Sequence, residues 1–68
     1  MTKAEIIKTC TGCYNINLYD NHGKFCFSLP DNNWYTKKEL KVVIDNAGFT
    51  CLDFTRLTDF DKKILGVI

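Results

Sequence analysis

A chain of 68 residues with nine basic and eight acidic side chains carries a formal charge of +1, which excludes bulk attraction to nucleic acid or to an acidic membrane. Its apolar fraction of 46% and charged fraction of 25% are those of a single folded domain spanning residues 1–68, with a thin core, since a chain this short buries only about 60% of its unfolded surface. No apolar run approaches the ~18 residues of a membrane span, and MTKAEIIKTC lacks the apolar stretch of a signal peptide, so a cytoplasmic chain with four reduced cysteines and no membrane partner is expected.

The first segment, TKAEIIK, reads as a short helix. Thr2 and Glu5 have the S/T-x-x-E spacing of a capping box, Ile6, Ile7 and Cys10 share one helical face, and Gly12 ends the run. An edge strand is the alternative reading.

Two arms of period-two patterning follow. Tyr14, Ile16 and Leu18 alternate with Cys13, Asn15, Asn17 and Tyr19; after DNHG, Phe25, Phe27 and Leu29 alternate with Lys24, Cys26 and Ser28. If Tyr19 pairs with Lys24, Leu18 faces Phe25, Ile16 faces Phe27 and Tyr14 faces Leu29, which places every apolar side chain on one face. A slip of one residue would destroy that agreement, so the register is specified to within parity.

Pro30 closes the second arm, and DNNW reads as a loop. YTKKELKVVIDNAGF carries every signal of a helix. Thr36 and Glu39 form a capping box, and Tyr35 and Leu40 sit at staple positions. Leu40, Val43, Ile44 and Ala47 make one apolar stripe, and Gly48 takes the left-handed cap, with Phe49 placed to touch Ile44. FTCLDFTRL reads as a third strand with Leu52 and Phe54 inward and Cys51, Asp53 and Thr55 outward. TDFDKKILGVI reads as a helix capped by Thr58, with Phe60 and Ile64 on its apolar side. The expected architecture is therefore α+β, in the order α-β-β-α-β-α, with a three-stranded, mainly antiparallel sheet and helices on one face.

The spacing C-x2-C-x8-H-x3-C in Cys10, Cys13, His22 and Cys26 invites a zinc reading. The hairpin opposes it, because it sets Cys26 opposite Asn17, roughly 13 Å along the strand from Cys13, whereas zinc ligands converge to ~2.0–2.3 Å from one ion. A redox use of Cys10-x-x-Cys13 wants Cys10 at a helix N-terminus; the expected helix puts it at the opposite pole. Cys10 is then a small packed apolar residue and Cys13 a strand start, and no cofactor is expected.

His22 stands in a turn beside Asp20 and Asn21. The His-x-x-Phe spacing of NHGKF, followed by the helix end DNAGF, resembles HicA-type toxins over about residues 2–49. That resemblance implies a helix–strands–helix ribonuclease fold with His22 catalytic. Such proteins have Gly-Ser-His where this chain has Asp-Asn-His, and a basic character that this chain lacks.

Other candidates lie on the surface. Lys37 and Lys38 occupy the first turn of the central helix, where the dipole disfavours cations; with Lys41 they could meet a phosphate or a carboxylate. A solvated face, with Lys41 and Asp45 paired at i,i+4, accounts for them as well. Asn15, Asn17, Tyr19, Lys24, Cys26 and Asp53 fall on the outward sheet face, a hydrogen-bonding surface for a protein or an ordinary wet face. Trp34 covers the edge of the core or anchors an interface. Asp59 and Asp61 suit a helix start more than acid–base chemistry. With no convincing catalytic constellation, the expected function is a small non-enzymatic binding or inhibitor protein acting on another protein, of the sort a phage or mobile element encodes. A nucleic-acid-binding or HicA-like ribonuclease module and a zinc module are the alternatives.

Overall fold

The computed structural model describes residues 3–30, 33–49 and 51–67. Thr2, Asp31, Asn32 and Thr50, used in the expectations above, lie outside them. The element order is β1 (Lys3–Cys10), β2 (Cys13–Tyr19), β3 (Phe25–Leu29), α1 (Lys37–Ala47), β4 (Leu52–Asp53) and α2 (Asp59–Leu65). The sheet has four strands in the order β3-β2-β1-β4; β1, β2 and β3 are antiparallel, and β4 runs parallel to β1. Among the described residues no helix is long and apolar enough to cross a membrane.

The first correction is β1. Residues 3–10 form a strand where a helix is expected, so the order is β-β-β-α-β-α and the sheet gains a member. The physical reason is pairing on both sides. Ile6 lies opposite Ile16 and Ala4 opposite Leu18, while β4 closes on the other edge at Ala4 and Glu5. Ala4 and Ile6 are thereby fully buried, which the apolar face of a single-turn helix would not achieve. The turn to β2 is Thr11–Gly12, with Gly12 at φ 74°, a left-handed conformation that favours glycine.

The second correction is the β2–β3 register. Tyr19 pairs with Phe25, not Lys24, and Leu18 then pairs with Phe27 and Ile16 with Leu29. Two single-residue shifts add up. The Asp20 carboxylate accepts from the N–H groups of His22 and Lys24, both at 2.9 Å, which widens the turn by one residue. Cys26 is a bulge between Phe25 and Phe27, which adds the other. A net shift of two keeps Phe27 and Leu29 on the expected face. Phe25 lies between the shifts and lands on the Tyr19 face, edge-on to that ring at 5.9 Å.

The core lies on one face of the sheet, under both helices: Ala4, Ile6, Tyr14, Ile16 and Leu18 meet Leu40 of α1, Leu57, and Leu65 of α2. Helix α1 starts and stops as its sequence dictates. Thr36 and Glu39 form the reciprocal capping box, at 3.3 and 3.0 Å, and Gly48 caps the end at φ 67°. Leu40 is buried and Val43 and Ile44 half-buried, but Ala47 is exposed. Strand β4 is only two residues long, shorter than its apolar pattern. Asp53 ends it by accepting from the Thr55 N–H at 2.9 Å and the Thr55 hydroxyl at 2.6 Å, which turns the chain out of the ladder.

Helix α2 presents a different face from the expected one. Asp61 and Leu65 are buried, Ile64 is half-buried, and Phe60 is 69% exposed. The buried Asp61 faces β1, where Lys8 falls in the inward row. Its ammonium meets Asp61 Oδ1 at 3.1 Å, and the Thr58 hydroxyl donates to Asp61 Oδ2 at 2.9 Å. Asp61 is the buried member of this pair, with 3% of its side chain exposed against 32% for Lys8, so it is the carboxylate that needs a counter-charge there.

A 68-residue domain has a total stability of roughly 3–10 kcal/mol, so single core contacts matter. Leu40→Ala is expected to cost about 2–5 kcal/mol, a large share of that total, measured by urea unfolding. For the Lys8–Asp61 pair, Lys8→Met alone is expected to lower the thermal midpoint more than the Lys8→Met/Asp61→Leu double variant, because it strands the buried Asp61 carboxylate. Additive losses in the double variant would contradict the pairing.

Candidate functional site

The outward sheet face is a closed polar network centred on Glu5. Alternation puts Lys3 and Glu5 of β1, Asn15, Asn17 and Tyr19 of β2, and Ser28 of β3 on this side. Glu5 Oε1 accepts from Tyr19 Oη at 3.1 Å and Asn17 Nδ2 at 3.4 Å, with Arg56 at 3.9 Å. The Ser28 hydroxyl donates to Asn17 Oδ1 at 2.6 Å. Only 9% of Glu5 remains exposed. The carboxylate that accepts the Tyr19 hydroxyl, and burial after it, hold that phenol above its usual range. Lys3 lies 5.5 Å from the centre of the Tyr19 ring and pairs with Asp53 at 3.1 Å.

This network changes the standing of the outward residues. Asn17 and Tyr19 spend their polar groups inside the face. Asn15 donates to the Leu29 and Asn33 carbonyls, at 3.4 and 3.2 Å, and so ties β2 to the segment after β3. Lys24 is exposed at the hairpin turn, and its backbone binds Asp20 in both directions. Cys26 is the exposed bulge residue and does not lie opposite Asn17, a place that Ser28 takes.

Lys37, Lys38 and Lys41 are exposed on α1. The N-terminus of this helix already has an anion, since the Glu39 carboxylate accepts from the Thr36 N–H at 3.0 Å. That bond, with the Thr36 side chain, holds the Glu39 carboxyl below its usual range. Lys41 makes no ion pair with Asp45. It reaches instead toward the end of α2, where a Cβ on Gly66 would lie 3.7 Å from its Nζ, a favourable place for a cation. Trp34 is 51% exposed and precedes Tyr35, which bridges Tyr14 by backbone bonds of 2.8 and 2.9 Å.

His22 stands in the exposed turn beyond Tyr19, whereas Lys37 and Lys38 follow Tyr35 at the Tyr14 end of β2. Six strand residues separate those ends, on the order of 20 Å. The fold therefore does not bring His22 and the lysines into one site. The chain also begins its described part with a strand where the HicA-type resemblance implies a helix. Cys10 and Cys13 are cross-strand partners, while Cys26 and His22 lie toward the far end of β2. No group of three or more metal-ligating side chains comes together among the described residues.

Sequence reading missed Glu5, Arg56 and the Lys8–Asp61 pair. Glu5 was spent on a helix cap, and only the strand reading of residues 3–10 turns it toward Asn17 and Tyr19. Phe25 and Phe27 are expected together on the apolar face; Phe25 lies on the other one, and the two are 52% and 45% exposed. They stand on β3, the outer strand of the sheet, whose far side faces no other strand among the described residues.

Beside Glu39, two further carboxylates titrate low. Asp53 is held at about 2, first by the Thr55 hydroxyl, then by the Thr55 N–H and Lys3. Asp61 is lowered, first by Lys8 and then by Thr58, against the cost of burial. A folded carboxyl below its unfolded value of about 3.9 stabilises above that pH and loses the contribution as pH falls toward the folded value. The thermal midpoint is therefore expected to drop between about pH 4 and 2. Asp53→Asn is expected to flatten that drop, as read by circular dichroism; an unchanged pH slope would contradict the assignment.

No family model matches the chain, and no curated protein or solved structure is significantly similar to it, so its function is argued from its own surface.

Proposed function

We propose that the chain is a small binding protein that docks on another protein through the β3 edge. The observation that carries this reading is the pairing of an open sheet edge with two half-exposed aromatics, Phe25 and Phe27. Edge strands ordinarily carry charges or stay short, because a free row of N–H and C=O groups templates pairing with another strand. This edge is five residues long and reads FCFSL. The Cys26 bulge restrains open-ended pairing and leaves a short, defined stretch for a partner. Backbone hydrogen bonds would supply affinity and the aromatics specificity.

The polar outward face supports the same choice by elimination. Its Asn and Tyr groups are already bonded to Glu5 and to backbone carbonyls, so a partner there would have to break that network. The +1 charge favours occlusion of a protein over nonspecific capture of nucleic acid. An inhibitor that occludes a protein of its host, of the kind a phage or mobile element encodes, is the function class proposed.

The test is capture from a lysate of the native host by the immobilised chain, comparing wild type with Phe27→Glu and with Lys37→Ala/Lys38→Ala. A protein retained by wild type and by the lysine variant, and reduced at least about tenfold by Phe27→Glu, is the expected outcome; that loss corresponds to ~1.4 kcal/mol. Phe27→Glu is expected to stay folded with a lowered thermal midpoint, since Phe27 is 45% exposed and the rest of it lies on the core face, and the capture is run below that midpoint. Recovery of RNA with steep salt dependence, or loss of capture only in the lysine variant, would favour the nucleic-acid reading instead.

A further inference from the structure

We propose that Cys10 and Cys13 form a reversible dithiol–disulfide site at the β1–β2 turn, oxidised by a low-molecular-weight disulfide of the glutathione class. The first observation is register. Cys10 and Cys13 are paired Cα partners on adjacent antiparallel strands. Such partners lie about 4.5–5.5 Å apart, inside the range of about 4.4–6.8 Å that a disulfide spans. The objection raised by the sequence, that Cys10 ends a helix, disappears with the helix.

The second observation is asymmetry. Cys10 is exposed and Cys13 is buried. The Cys13 thiol is held above its usual range, first by the neighbouring Cys10 thiol and then by burial. The Cys13 S–H donates to the Thr11 carbonyl at 3.6 Å. One sulfur is accessible to a reagent, and the second waits behind it. Cys26 and Cys51 are exposed, and neither is the strand partner of another cysteine.

The chemistry is two thiol–disulfide exchanges. The Cys10 thiolate attacks one sulfur of the small disulfide, breaks its S–S bond and expels one thiolate. The Cys13 thiolate then attacks the Cys10 sulfur of the mixed disulfide and expels the second. The protein dithiol loses two electrons, the small disulfide gains them and leaves as two thiols, and those thiols take up the two protons. Closing a loop with only two residues between the cysteines constrains the unfolded chain little, so the readout is chemical and not thermal.

The experiment equilibrates the full chain in glutathione buffers of increasing oxidised fraction, then acid-quenches, alkylates and digests it with trypsin. Cleavage after Lys8 and Lys24 leaves Cys10 and Cys13 together on peptide 9–24, apart from Cys26 and Cys51. That peptide is expected to become two hydrogens lighter and unalkylated in buffers where Cys26 and Cys51 remain mostly alkylated. Cys13→Ser is expected to stop at a glutathione adduct on Cys10, and Cys10→Ser to leave Cys13 a thiol. Peptide 9–24 staying reduced in fully oxidising buffer would overturn the proposal. So would adducts without the internal bond, or pairing of Cys10 or Cys13 with Cys26 or Cys51.

Discussion

The structure hangs on the inward row of β1: Ala4, Ile6 and Lys8. Two of these are apolar and one is charged, and both facts propagate. Ala4 and Ile6 are fully buried between β2 and the helices, so the strand is a core element and not an edge. Lys8 continues the same row toward α2, where its ammonium meets Asp61, a carboxylate of which 2% is exposed. Tyr14, the strand partner of Lys8, completes the cluster; burial first, then the Asp61 carboxylate, push its phenol up. With Asp61 and Leu65 turned toward the sheet, Phe60 of the same helix is left exposed.

The outward row of the same strand organises the other face. Lys3 holds Asp53 of β4, and Glu5 gathers Asn17, Tyr19 and Arg56. A face that would otherwise be wet is thereby bonded to itself. The unsatisfied features shift to the periphery: the aromatics and backbone of β3 on one edge, and the thiol pair at the β1–β2 turn.

Local signals were legible in the sequence; signals shared between distant segments were not. Helix α1 carries its own start, stripe and stop within Thr36–Gly48, and each is found in place save the exposed Ala47. The α2 cap at Thr58 was equally local, but its buried face meets Lys8, 53 residues away. The hairpin was legible to parity, because alternation fixes parity and nothing more. Its absolute register rested on how Asp20 bonds the turn and on a bulge at Cys26. Residues 3–10 failed because Ile6–Ile7 fits either period, and a Thr-x-x-Glu match outweighed the Ala4–Ile6–Lys8 alternation. The candidate site inherited that error: Glu5 and the Cys10–Cys13 pairing are visible only once the first segment is a strand.

The most direct test is nuclear magnetic resonance of residues 3–10 in the isolated, uniformly labelled chain. The account predicts extended-strand secondary shifts, cross-strand contacts between Ile6 and Ile16, and slow amide exchange there. Helical secondary shifts with sequential amide–amide contacts from Lys3 to Ile7 would contradict it, and would return Lys8, Glu5 and the cysteine pair to positions from which none of this structure could be built.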